Sequence, residues 1–304
     1  MAPLYRYSFA HVPPVQSVPS GATLTLAFPD SDGLGPELQP LPAHLFEKDS
    51  AALGNPVYGP ISVEGAQIGG ALRVDFIEVT PDRKIARTLL APSHGFLPDD
   101  HLPDRPRHLY LWEIENGRAR IANSLGENSA TIPVAPFLGC IATAPASEPP
   151  SSLLAFQNGG NIDHPDLVAG TTLWLPVSVP GGLLYLGDMH AAQGHGETVG
   201  GGLEISGTAQ IRVESCPDLA LSIPRYQTPS GIASLAVGRD FENAARLALA
   251  DMAQWLHHQG WNLFDANMLA SQTCEFRVGG LSKTYAVVSC YIASERLGTA
   301  LPLC

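Results

Sequence analysis

A mainly β fold with α+β character, in which β-sandwich or jelly-roll-like sheets precede a C-terminal helical segment, is predicted by three observations. The 304 residues carry 30 glycines and 27 prolines, spread along the chain as the punctuation of many short strands. Alternating or β-branched runs recur at residues 22–28, 71–79, 108–114, 171–179, 182–186 and 209–214. Residues 240–259 break the pattern, because Ala244, Leu247, Ala248, Met252, Trp255 and Leu256 recur at three and four residues, as on one helix face.

The elements follow in order. Asp32-Gly33 and Asn116-Gly117 are turn signals that close the early runs. Residues 144–150 (APASEPP) mark a boundary between an N-terminal β-rich half, 1–145, and a C-terminal half, 146–304, packed as one compact unit. The runs 171–179 and 182–186 read as a hairpin about Pro180-Gly181-Gly182. Asp240 is the expected N-cap of the long helix, with Glu242 in its first turn and Gly260 as the C-cap candidate. A second, shorter helix is expected over residues 263–271.

Composition excludes several classes. Seventeen basic residues against 29 acidic ones give a net charge of −12, which argues against nucleic acid and against anionic lipid. Every apolar run is too short to span a bilayer, and Met1–Tyr7 lacks the pattern of a signal peptide. Cys140, Cys216, Cys274, Cys290 and Cys304 are scattered without CxxC spacing, as expected of reduced thiols in a cytoplasmic protein. Cys140, with apolar neighbours Leu138 and Ile141, reads as buried and inert. Low charge and many apolar strands suggest a homo-oligomer, a dimer in the simplest case.

Polar chemistry concentrates in residues 159–204. Asn161, Asp163, His164, Asp166, Asp188, His190, Gln193, His195, Glu197 and Glu204 crowd together in a chain that is only 15% charged. The expected hairpin would bring GGNIDH and GDMHAAQGHGE to one end of a sheet. Carboxylates with imidazoles can hold a divalent metal, Zn through N/O ligands or Ca through oxygens. Asp188 and His190 share one face of an extended segment, and the glycines around them, Gly187 included, let backbone approach a small ligand. His164 and His195 read as solvated loop residues. Gly-x-Ser-x-Gly and HExxH are absent, as is a phosphate-binding loop.

At this stretch the chain resembles the acetamidase/formamidase family. The resemblance rests on Pro136–Ile141 with Ala144-Pro145, Gly159-Gly160-Asn161-Ile162-Asp163, Leu173–Val177, and Gly187-Asp188-Met189-His190-Ala191-Ala192-Gln193-Gly194-His195-Gly196-Glu197. Residues 55–66, with Gly59-Pro60-Ile61, look like a further block of that family, and the likeness runs from about residue 5 to about residue 295. The resemblance implies a β-rich amidase, assisted by a divalent metal (Zn first, Ca second), that converts formamide or acetamide to carboxylate and ammonia. It implies Asp163, Asp188 and His190 as metal ligands. Glu64, Glu197, Glu204 and Gln193 become catalytic candidates, and Asn161, Gly160 and Gly187 substrate-binding ones. Two positions depart from the pattern: His195 replaces its usual Asp and Val199 its usual Cys, which leaves no thiol nucleophile there. The alternative is a non-catalytic relative that binds a small ligand or metal.

Overall fold

The structure is a computed structural model and describes residues 4–47, 54–92, 95–96 and 107–297; Cys304 lies outside the described residues. The first strands are β1 (Tyr5–Arg6), β2 (Gln16–Val18), β3 (Ala22–Phe28), β4 (Val57–Val63) and β5 (Ala71–Pro81). Next come β6 (Ile85–Leu90), β7 (His108–Glu115), β8 (Arg118–Ile121), β9 (Thr131–Pro133) and β10 (Phe137–Thr143). Beyond residue 145 lie β11 (Ala155–Phe156), β12 (Gly159–Asn161), β13 (Thr172–Pro176), β14 (Leu184–His190), β15 (Gly207–Cys216), β16 (Arg225–Thr228) and β17 (Gly231–Gly238). Helices α1 (Phe241–His258) and α2 (Leu263–Thr273) follow, then β18 (Glu275–Leu281) and β19 (Ala286–Ala293).

Three sheets result. One is seven-stranded in the order β1-β4-β14-β10-β12-β11, with β2 parallel to β4. A second is eight-stranded, β18-β19-β17-β16-β13-β5-β15-β3, and a third is the small meander β6-β7-β8-β9. Both large sheets draw strands from either side of residue 145. Alternation along β15 sends Ala209, Ile211 and Val213 inward, where they meet Leu138, Ile141, Leu184 and Leu186 of the seven-stranded sheet. The mainly β architecture with late helices is thus as the sequence predicts.

The helices cover the other face of the eight-stranded sheet, and Met252, Trp255 and Leu256 pack with Trp174, Ile232 and Ile292. Strands β17 and β19, covered on both faces, are buried almost throughout. Asp240 caps α1 by accepting the Asn243 amide at 2.8 Å. The chain leaves the helix through Gln259 and then Gly260 at φ +99°, so Gly260 sits one place beyond the cap. The Asn116-Gly117 turn joins β7 to β8 with both residues at positive φ.

One expectation fails. Runs 171–179 and 182–186 do not form a hairpin: β13 pairs with β5 and β16, whereas β14 pairs with β10 and β4 in the other sheet. Pro180-Gly181-Gly182 turns the chain from one layer of the sandwich to the other. Each of these strands is buried on both faces, so alternation could not reveal which sheet it joins. Among the described residues no helix is long and apolar enough to cross a membrane.

Candidate active site

Strand β10 assembles the site by taking a different partner on each side. Cys140 is opposite Asn161 of β12 on one edge and Gly187 of β14 on the other. Both partners run antiparallel to β10, so their carboxy-terminal ends, Asn161–Asp163 and Asp188–His190, emerge together beside its first residues. Glu204 arrives by a third route, bridged to both His190 and Arg87. Glu197 comes from the loop between β14 and that bridge. The two polar blocks converge, but through β10 and not through a hairpin.

Their side chains interlock. His190 Nε2 lies 3.1 Å from Glu204 Oε1 and 3.5 Å from Asp188 Oδ1. His190 Nδ1 is 2.8 Å from Gln193 Oε1, and Gln193 Nε2 donates to the Asp163 carbonyl at 2.7 Å. Because the amide nitrogen is spent on that carbonyl, Gln193 offers only an acceptor to the ring. The histidine must therefore donate from Nδ1, which turns Nε2 toward the carboxylates. Asn161 Nδ2 donates to Asp163 Oδ2 at 2.6 Å, and Asn55 Nδ2 donates to Asp188 Oδ2 at 2.6 Å and to Asn161 Oδ1 at 2.9 Å.

The concentration of charge is held under strain. Asp163, Asp188 and Glu197 sit at φ +42°, +60° and +43°, a backbone region that costs a non-glycine residue free energy. Asp163, Asp188 and His190 are at most 2% exposed. Burial, reinforced by Asp188, pushes the Asp163 carboxyl up to about 8. Burial and the neighbouring Asp163 raise Glu197 well above the carboxylate range. For His190 burial opposes the charge, but Glu204 and Asp188 outweigh it and raise the imidazole.

This donor set fits a divalent cation. Single ligand atoms of Asp163, His190 and Glu197 lie within 4.8 Å of one another, and so do those of Asp188, His190 and Glu204. Asp163 Oδ1, Asp188 Oδ1, His190 Nε2 and Glu204 Oε2 are buried without a hydrogen-bond partner among the described residues. Orphaned buried polar atoms are costly, and a cation held by either of these triads, which share His190, would satisfy those of its members. One imidazole with several carboxylates suits Zn and also harder ions.

Two pockets flank the cluster. One of about 370 Å³ is lined by Asn55, Arg87, Leu89, Gly201 and Glu204. The other, about 250 Å³, is lined by Gln193, Glu197, Gly202 and Trp112.

Most of the expected residues meet here, but Glu64, Gly160 and Gly187 do not take the expected places, and neither does His164. Glu64 is exposed on the turn after β4. Strands β4 and β14 are antiparallel, with Ile61 opposite Leu184 and Val57 opposite Gly187, so Glu64 sits at the far end of β14 from His190. Gly160 and Gly187 are buried between strands; a Cβ there would meet Leu154 O and Pro56 O at 2.4 Å, so their bareness serves strand approach. Gln193 is held between His190 and Asp163, and it also lines the smaller pocket. His164 is fully buried and not solvated. Its Nε2 lies 2.9 Å from Ser289 Oγ, within a network of Tyr226, Asp166 and Arg277. His195 is exposed, as expected.

Asn55, Gly139 and Gly202 joined the site unforeseen. Asn55 is the first residue of the 55–66 block, which was the available signal. The buried Cys140 thiol, raised by burial and by Asp188, is 2.9 Å from Asn161 Oδ1 and acts as part of the scaffold.

Comparison with known proteins places this geometry in context. Residues 154–292 match the model of the Acetamidase/Formamidase family. The curated formamidase of Methylophilus methylotrophus is 37% identical over 206 aligned residues, covering 51% of this chain and 50% of that protein. A protein of Schizosaccharomyces pombe is 40% identical over 75 residues, 23% of this chain and 18% of the relative. The matches thus span about half or less of these curated relatives. An acetamidase crystal structure from Bacillus halodurans superposes with a TM-score of 0.83 at 27% identity, covering 97% of each chain. An acetamidase from Yersinia enterocolitica does so at 0.81 and 27%, covering 97% of this chain and 90% of that one. A γ-lactamase from Delftia acidovorans, at 17% identity and TM-score 0.62, shares the fold.

Proposed function

We propose that this chain, whose resemblance to the acetamidase/formamidase family is carried by residues 154–292, hydrolyses a short primary carboxamide such as formamide or acetamide to the carboxylate and ammonia. The observation that carries the reading is the buried convergence of Asp163, Asp188, His190, Glu197 and Glu204, with four orphaned ligand atoms among them. The names of its relatives support it.

Asp163, Asp188 and His190 would hold a divalent cation, Zn by the chemistry of the donor set with Ca as the alternative. When bound, such an ion polarises a carbonyl and acidifies water. The remaining work belongs to side chains. Glu204, in the pocket wall, takes a proton as water adds to the amide carbon. Glu197, whose proton is held more tightly because of burial and Asp163, passes it to the nitrogen as the C–N bond breaks. Gln193 fixes His190 in one tautomer throughout. Pockets of about 250 and 370 Å³ are large enough to admit a one- or two-carbon substrate.

A cytoplasmic homodimer completes the reading. Exposed Phe264 and Met268 on α2 support self-association, and sedimentation checks it.

Purified protein loaded with Zn should release ammonia from formamide or acetamide. Chelation should abolish the release, and Glu204→Gln should lower kcat by about 100-fold or more. Metal-loaded protein that releases no ammonia from either amide would overturn the proposal.

A further inference from the structure

Asn55 stands between the buried cluster and the larger pocket. Its Nδ2 donates at 2.6 Å to Asp188 Oδ2 and at 2.9 Å to Asn161 Oδ1, so both of its N–H groups are spent. The opposite orientation of the amide would set three oxygens against one another at those distances, so the acceptors fix which way it turns. Asn161 is fixed in the same way: its Nδ2 donates to Asp163 Oδ2, and its Oδ1 receives Asn55 and the Cys140 thiol. The chain of amides is anchored at both ends on carboxylates.

What remains is Asn55 Oδ1. This acceptor has no hydrogen-bond partner among the described residues, and it belongs to a half-buried residue in the wall of the 370 Å³ pocket. Glu204 lines the same pocket, but its Oε2 is buried, which leaves Asn55 Oδ1 as the acceptor there. An unspent amide oxygen in the pocket wall is complementary to an N–H donor. A carboxylate or an ester oxygen set against Asn55 Oδ1 would meet a lone pair, although Arg87 and Arg107 line the same pocket.

We infer that Asn55 is a specificity-determining residue whose Oδ1 accepts an N–H of the substrate's –NH2 group, selecting primary amides over esters and carboxylates. The inference rests on the amidase reading and names the side chain that recognises the nitrogen. Asp188 and Asn161 act on specificity through it, by holding its acceptor toward the pocket.

The test compares steady-state rates on acetamide, N-methylacetamide, N,N-dimethylacetamide and methyl acetate for the wild type, Asn55→Ala and Asn55→Gln, all Zn-loaded, with thermal melts as a check on folding. The wild type should favour substrates in the order of their N–H count. Asn55→Ala should lower kcat/KM for acetamide by at least about tenfold more than for methyl acetate, and so flatten that order. Asn55→Gln, which keeps an acceptor, should recover part of the preference. Equal losses on amide and ester, or an unchanged order in Asn55→Ala, would overturn the assignment while leaving the amidase reading intact. A wild type active on methyl acetate and inactive on every amide would overturn both.

Discussion

At the scale of single residues the site depends on absent side chains as much as on present ones. A Cβ on Gly139 would lie 2.3 Å from Asp163 Oδ1 and 2.9 Å from Asp188 Oδ2, so only glycine lets two carboxylates cross β10 at this point. Gly139→Ala should lower kcat/KM by on the order of 100-fold, since small misplacements of catalytic groups cost that much. Gly194→Ala, at a position with nothing within 4 Å, should be nearly silent, and equal effects of the two on ammonia release would refute the packing argument. His164 makes a second prediction. Burial lowers its imidazole to about 4, with His195 and Arg277 adding to the effect against the opposing pull of Asp166. The folded state therefore keeps it neutral, while the unfolded chain protonates it near 6.5. Its contribution is complete above pH 6.5 and is lost as the pH falls toward 4, about 3 kcal/mol across that window. Urea melts from pH 7 to 4.5 should show a steeper loss for the wild type than for His164→Asn.

At the scale of elements, α1 owes its position to both its cap and its underside. Its cap is legible in Asp240 and its buried stripe in the spacing of Ala248, Met252 and Trp255. The ion pair beneath it was not legible. Arg225 of β16 donates to Asp251 at 2.8 and 3.0 Å, Ser234 donates to the same carboxylate, and Arg225 stacks over Trp255. Asp251→Ala leaves a nearly buried guanidinium without its partner and should cost about 3 kcal/mol. Asp240→Ala should cost about 1 kcal/mol. Both helices pack on the far face of the eight-stranded sheet, so neither variant should shift KM for amide, and a shift would contradict the layer arrangement. Sequence periodicity identified the helices because one face is apolar and the other wet. It misjudged β13 and β14 because strands covered on both faces lose that contrast.

For the whole molecule, stability and site oppose each other. Burying Asp163, Asp188, Glu197 and Glu204 together is unfavourable until a cation or protons neutralise them. Asp163→Asn should therefore stabilise the metal-free protein by about 1–2 kcal/mol while removing most of the thermal shift that Zn produces in the wild type. A metal-free Asp163→Asn protein less stable than metal-free wild type would show that this carboxylate is structurally required.

The sequence by itself determined the kinds of chemistry available. It contains the carboxylates, imidazole and amides of residues 159–204, the strand-forming runs and the late amphipathic helix, all of which are local properties of composition and period. It also carried the family likeness that Asp163, His190 and Gln193 display. Only the tertiary structure decided which of these residues meet. β10 lies between β12 and β14, Glu204 is bridged to His190, Asn55 is drawn in from more than a hundred residues away, and Glu64 is left at the wrong end of an antiparallel strand. The physical reason is that neighbour choice in a sheet depends on long-range register and two-sided burial. Neither leaves a periodic trace within the strand itself.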